Sequence, residues 1–350
     1  MNTPLHRPKP LRGTSAKSID RSMDPEKAAR ALIAGKTLRV TDHYRTGTVI
    51  LEHLEHLLKK PSFNSPYAER LAHGRKFREV ALRLLAPIQN HAVQLVEAEP
   101  IGFLAEMYPD QDFYCLPLVE VQSLHGAWQR YERGVHLAVL GRRLHPFYGT
   151  YAPTRTAHLE LFATWLSQYA GPRNLGVDVG TGCGVLALML VRAGFSSVVA
   201  TDSNPNAIES VRRELERTDG ASNLVLQCTD LLDGHTAPSD LIVFNPPWLA
   251  GVHDDLLDQA LHFQPGLFAR FFDQAAERLG PDGRVVLIFS NIMRLMQPEV
   301  PHPIDEELAG SRFRLVQKLQ RKVKPSPGPD GRRRRTREKV EIWELALTSE

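Results

Sequence analysis

Cysteine is scarce in these 350 residues, occurring at Cys115, Cys183 and Cys228 alone. An odd count without CxxC spacing argues against a disulfide framework or a thiolate zinc site, and fits a reducing compartment such as the cytoplasm. No metal is expected, and His253, Asp254 and Asp255 read as loop polars. No apolar run reaches the ~18 residues that suggest a membrane span, and none near Met1 has the form of a secretion signal. Charge of one sign is lacking too. The 43 Lys and Arg oppose 40 Asp and Glu, a net of +3, which is too little to imply a polyanionic partner by itself. There is no GxxxxGK[ST] phosphate loop and no GxSxG nucleophile turn, and His53, Glu55 and His56 lack the HExxH spacing. What is present, 42% hydrophobic and 24% charged residues, describes an ordinary globule with enough chain for two domains and a large core.

Residues 1–22 are expected to form a disordered tail, because Pro4, Pro8 and Pro10 would break an amphipathic targeting helix. Residues 23–145 are expected to form a smaller, mainly helical domain. Asp24-Pro25 has the form of a helix cap followed by proline at the first helical position, with Gly35 placed to stop that helix. Apolar residues Val49, Ile50, Leu51, Leu54, Leu57 and Leu58 have helical spacing, and Ala68 to Leu85 carries a second long helical pattern before Pro87. Between 90 and 145 the pattern mixes short helices with possible strands near Phe113 to Leu118 and His136 to Leu140.

A second domain is expected from 146 to 350, and after residue 170 the rhythm changes. Short β-branched runs at Leu175 to Val179, Val198 to Thr201, Leu224 to Gln227, Leu241 to Phe244 and Val285 to Phe289 alternate with helical segments. That alternation predicts an α/β, Rossmann-like, doubly wound and mostly parallel sheet, covered on both faces. Two longer alternating segments, Phe313 to Val323 and Lys339 to Leu347, predict a closing antiparallel pair around a Pro/Gly/Arg-rich loop.

The first of these strands runs into Gly180-Thr181-Gly182-Cys183-Gly184 and straight on into the helical run from Val185 to Met189. A glycine turn feeding a helix lets backbone approach a ligand without a Cβ in the way and offers free N–H donors. The dinucleotide fingerprint GxGxxG would need a third glycine at Val185, so the spacing here is GxGxG, preceded by the acid Asp178. Asp202, ending the next strand, is placed to accept both hydroxyls of a ribose, and Asn204 caps a helix starting at Pro205. Asp230, after the third strand, is placed to accept from an adenine amino group, with Leu231 packing on the ring. The fourth strand ends in Asn245-Pro246-Pro247-Trp248. There, one side-chain carbonyl and one restrained backbone carbonyl can pin the two N–H bonds of a planar NH2 group against a flat indole.

Asp178 to Gly184, Asp202, Asp230 and the NPPW motif at Asn245 to Trp248 resemble the successive motifs of the class I S-adenosylmethionine-dependent methyltransferases, over roughly residues 145 to 347. The resemblance implies S-adenosyl-L-methionine as cofactor, bound by Asp178, Gly180, Thr181, Gly182, Cys183, Gly184, Asp202, Asp230, Leu231 and Asn245. It also implies methyl transfer at Asn245, Pro246, Pro247 and Trp248. An NPP-aromatic motif is similar to two groups. One methylates the glutamine side chain of release factors or ribosomal proteins; the other methylates the exocyclic amine of adenine or guanine in RNA or DNA. The glutamine group is preferred because Gly134 to Gly141 followed by Ala152-Pro153-Thr154-Arg155-Thr156 looks like its linker and Pro-Arg element. Thr154 is inserted in that element, and Trp248 stands where a tyrosine is usual.

Tyr148, Tyr151 and Arg155 are candidates to line the pocket. The basic run from Lys318 to Lys339, with Arg332, Arg333, Arg334 and Arg335 in succession, suits either RNA or a partner bound on the ribosome. Four phosphate contacts would give a salt slope of about −3 to −4. The partner is therefore expected to be a protein or RNA component of translation, with no membrane. A non-catalytic cofactor- and RNA-binding module is the alternative outside enzymes, and it has no use for two converging acceptors at Asn245 and Pro246.

Overall fold

The computed structural model describes residues 4–62, 65–218, 222–251, 260–324, 326–327, 333–334 and 337–348. The chain forms two compact units, Leu5–Glu132 and Arg133–Glu350.

The first unit carries β1 (Lys17–Ile19), α1 (Pro25–Ile33), β2 (Leu38–Val40), α2 (Tyr44–Leu57), α3 (Tyr67–Ala81), β3 (Leu84–Gln89), β4 (Ala92–Val93), α4 (Phe103–Met107), β5 (Phe113–Pro117) and α5 (Leu118–Arg133). Asp24 caps α1 as its sequence predicts, its side chain accepting from Lys27 N at 2.8 Å. The unit is helix-rich but also holds a five-stranded sheet, β1-β2-β3-β4 with β5 on β3. Two sequence expectations differ from this. Residues 4–22, expected as a tail, supply β1, the Leu11 bridge to Cys115, and Pro8, whose carbonyl accepts from the buried Tyr108 hydroxyl. The helical run expected to Leu85 stops at Ala81, and Leu84 and Leu85 belong to β3. Pro87 sits inside that strand opposite Cys115 and contributes only its carbonyl, which accepts from Gln94 N.

The second unit opens with a hairpin, β6 (Val135–Leu137) and β7 (Arg142–Leu144). Leu137, Leu140 and Leu144 are buried in the same core as Leu159 and Phe162, so the compact unit starts at Arg133 rather than near 145. Next come α6 (Ala157–Gln168), β8 (Leu175–Val179), α7 (Val185–Arg192), β9 (Ser197–Asp202), α8 (Pro205–Glu216), β10 (Leu224–Cys228), β11 (Ser239–Phe244), β12 (Leu249–Ala250) and β13 (His262–Phe263). The chain continues with α9 (Leu267–Arg278), β14 (Leu279–Ser290), α10 (Ile292–Met296), α11 (Pro303–Ala309), β15 (Phe313–Lys322), β16 (Ser326–Pro327), β17 (Arg333–Arg334) and β18 (Lys339–Leu347).

The main sheet has the order β10-β9-β8-β11-β14-β18-β15. β8 to β11 and β14 pair in parallel, and β18 is antiparallel to both β14 and β15. This is the doubly wound, mostly parallel architecture with an antiparallel C-terminal strand that the strand rhythm predicts. Alternate residues of the central strands enter opposite cores. Ala200, Leu241, Val243 and Ile288 pack on one face, and Val177, Val199, Ile242 and Leu287 on the other. Both faces are dry, which is why these strands read as unbroken apolar runs.

Candidate active site

Parallel pairing brings the candidate residues together. Val179 pairs with both Thr201 and Phe244, so Gly180, Asp202 and Asn245, the next residues or strand end, share one edge of the sheet. The order reverses beside β8, from β9 on one flank to β11 on the other. That reversal is the switch point at which open α/β sheets bind ligands.

The glycine turn is held from inside. Gly180, Gly182 and Gly184 have φ of 65°, 52° and 80°. Gly184 caps α7 without a side chain, and Asp178 takes over the capping role from the adjacent strand. Its Oδ2 accepts from Ala187 N at 2.9 Å and from the Thr181 hydroxyl at 2.7 Å. Its Oδ1 is buried and has no protein partner. Burial pushes the Asp178 carboxyl up to about 7, against the two hydrogen bonds that favour its ionised form.

Asp202 spans the gap between the two turns, Oδ2 accepting from Gly182 N at 2.9 Å and Oδ1 from Asn204 N at 2.8 Å. Burial raises it to about 6. The segment before α6 is laid along α8. The Asn204 side chain donates to Gly149 O, the Asn206 side chain donates to Tyr148 O, and the Ser210 hydroxyl accepts from Phe147 N. The carbonyl oxygen of Tyr151 thereby lies only 3.2 Å from where a Cβ on Gly182 would stand.

At the tip of β11 the Asn245 Oδ1 is buried and without a protein partner. Trp248 is half-buried and fixed: its Nε1 donates to Ile288 O at 3.1 Å, and it meets the buried ring of His158 edge-on at 5.6 Å. Pro246 is buried and Pro247 half-buried beside it.

The remaining candidates are placed differently. Cys183 and Leu231 turn their side chains into the two cores, and burial pushes the Cys183 thiol up to about 12. Asp230 is ion-paired to Arg270 through Oδ2, a partner 40 residues away that sequence spacing does not reveal. Arg155 reaches the buried Glu338 at 3.3 Å. Arg333 and Arg334 form β17, paired with β16; Arg332 and Arg335 lie outside the described residues, as do His253, Asp254 and Asp255. Sequence reading also passes over His158 and Thr201, whose Nε2 and Oγ1 are buried without partners. A lone polar residue in an apolar run is the one signal either of them gives.

The family model for the methyltransferase small domain matches residues 160–302, which takes in both the glycine turn and Asn245 to Trp248. This part of the chain is similar to the methyltransferase small domain family. A protein N5-glutamine methyltransferase of Methanocaldococcus jannaschii is 28% identical over 111 residues, 32% of this chain and 49% of that protein. A ribosomal protein L11 methyltransferase of Lactobacillus acidophilus is 32% identical over 130 residues, 37% of this chain and 35% of that protein. The chain thus spans about half or less of the length of these curated relatives. The ribosomal protein L11 methylase structure from Lactobacillus delbrueckii subsp. bulgaricus aligns with a TM-score of 0.40 at 20% identity, over 57% of this chain and 82% of that one.

The methyltransferase domain family uses S-adenosyl-L-methionine as methyl donor, and the residues here fit that group. They offer a glycine turn closed by Tyr151, two carboxylates behind it, and partner-free buried oxygens on Asp178 and Thr201. The raised carboxyls lead to a testable sign. Below its folded pKa each carboxyl holds a proton, and a cationic, hydroxyl-bearing ligand favours the ionised form. Between about pH 6 and 7, where burial places the Asp202 and Asp178 carboxyls, cofactor binding is expected to release protons, and the release should fade about two units above the higher of the two. Calorimetric titration in two buffers of different ionisation heat checks this; equal heats near pH 6 would refute it.

Proposed function

We propose that this chain transfers a methyl group from S-adenosyl-L-methionine to the side-chain amide nitrogen of a glutamine in a protein component of translation, in the cytoplasm. The observation that carries the proposal is the buried, partner-free Oδ1 of Asn245 at a strand tip next to the glycine turn. An unpaired buried acceptor costs roughly 1–3 kcal/mol, and an N–H of a planar NH2 removes that cost. The name of one relative supports a glutamine acceptor, and the name of the other supports a protein component of the ribosome.

When bound, the cofactor supplies an electrophilic methyl on a cationic sulfur. The protein's contribution is placement. Asn245 Oδ1 accepts one N–H, and the Pro246 carbonyl, restrained by Pro247, accepts the other. Trp248, locked by Ile288 O, offers a flat face to the amide plane. Held this way, the nitrogen lone pair is kept out of its usual delocalisation and directed along one line, and such orientation is worth about 7–11 kcal/mol. No strongly basic group is required, since the proton can pass to water once the nitrogen has become cationic.

Incubation with methyl-labelled cofactor and a cell extract, followed by separate protease and ribonuclease digestion, tests the reading. Label released by protease and found on glutamine supports it. Label released by ribonuclease alone would replace it with transfer to an exocyclic amine of an RNA base, a reading that the basic run from Lys318 to Lys339 suits equally. No label at all would leave a binding module.

A further inference from the structure

Pro246 and Pro247 have no N–H to give, so these two residues cannot donate to a backbone ladder. Beyond them the chain is held by the short β12–β13 pairing and also by a side chain outside both motifs. Gln297 is buried just beyond α10, its own amide bonded to Met293 O at 2.7 Å. Its Oε1 accepts from Ala250 N at 2.9 Å and its Nε2 donates to Ala250 O at 2.7 Å. One carboxamide thus satisfies both backbone groups of a single residue, as the facing residue of a hydrogen-bonded strand pair would. On the far side Ala250 pairs with Phe263, and Gly251 N donates to Phe263 O at 3.1 Å. Between the tip of β11 and this clamp lies the whole acceptor motif, with Trp248 bonded to Ile288 O midway.

We infer that Gln297 is a positioning residue for the acceptor site: by closing on Ala250 it fixes the run from Asn245 to Trp248, and with it the direction of the Asn245 carboxamide. The inference rests on the function proposed above. It goes further by naming a residue that acts through another. Displacement of a reacting group by 1 Å costs about 10²-fold in rate, so loss of the clamp is expected to lower kcat by roughly 10- to 100-fold without weakening cofactor binding.

The test uses the full chain with Gln297→Ala and Gln297→Glu, followed by kcat, cofactor Kd and amide hydrogen exchange over residues 249–251. In Gln297→Ala the Ala250 amide should exchange faster and kcat should fall, with Kd unchanged. Gln297→Glu carries the test if the alanine variant does not fold. A protonated carboxyl can accept from Ala250 N and donate to Ala250 O, whereas a carboxylate can only accept. Its activity relative to wild type should therefore fall as pH rises through a carboxyl pKa lifted by burial. Faster exchange with unaltered kcat, or exchange that does not change, would overturn the role of Gln297. A wild type that labels no acceptor, while exchange still differs between wild type and variant, would instead remove the proposed function and this inference with it.

Discussion

Replacing Asn245 with alanine is expected to lower turnover by about 10²- to 10³-fold while cofactor affinity stays the same, by analogy with removal of one group from a preorganised site. The expectation follows from the state of the side chain. Oδ1 is buried yet unpaired within the protein, so its removal leaves no broken internal hydrogen bond and should hardly disturb stability. What disappears is the grip on one N–H of the acceptor. Asn245→Asp keeps an acceptor oxygen at the same reach and should retain more activity than the alanine variant. Single-turnover methylation beside a direct binding titration separates the two quantities, and turnover equal to wild type would take Asn245 out of the chemistry.

A second large effect is expected on folding. A methyl group on Gly184 would stand 2.8 Å from Val211 Cγ2, in a residue whose φ of 80° L-residues rarely adopt. Backbone strain of about 1–2 kcal/mol and overpacking of about 1–3 kcal/mol make Gly184→Ala destabilising by roughly 2–5 kcal/mol. The damage falls on the turn that opens α7, so cofactor binding should fail at temperatures where the sheet still persists. Chemical denaturation of Gly184→Ala, and of Gly184→Ala with Val211→Ala, divides the two sources. The second substitution should recover the packing part and leave the backbone part. A single variant as stable as wild type would contradict the geometry.

The second unit was largely legible because its signals are long and repeated. The run Leu175 to Val179 is β8 to the residue, and each of the other four parallel strands contains its predicted run. Strands buried on both faces must be apolar throughout, and crossover helices separate them cleanly. The first unit was less legible. β1 and β2 have three residues each, too few to show an alternation, and β3 follows α3 so closely that its leucines continue the helical count.

At the site, chemistry local to a strand end was readable and chemistry across the fold was not. Asp178 is prominent in its motif, yet its work inside the protein, capping α7 across the glycine turn, depends on the path of that turn, which only the fold shows. Partners distant in sequence are hidden likewise, as with Arg270 on Asp230 and the perpendicular His158–Trp248 ring pair. Cys183 illustrates the converse. Its place in a glycine turn suggests an outward side chain, but alternation around positive-φ residues turns its thiol into the core.

The reversed strand β18 has a consequence for how the sheet's rim can vary. Because Val340 lies opposite Ser290 and Lys339 is bonded to Asn291, the arginine-rich connection departs from the same rim of the sheet as the glycine turn. That connection can therefore change in length or charge at the turn end of the β15–β18 hairpin while Gly180, Asp202 and Asn245 stay where they are.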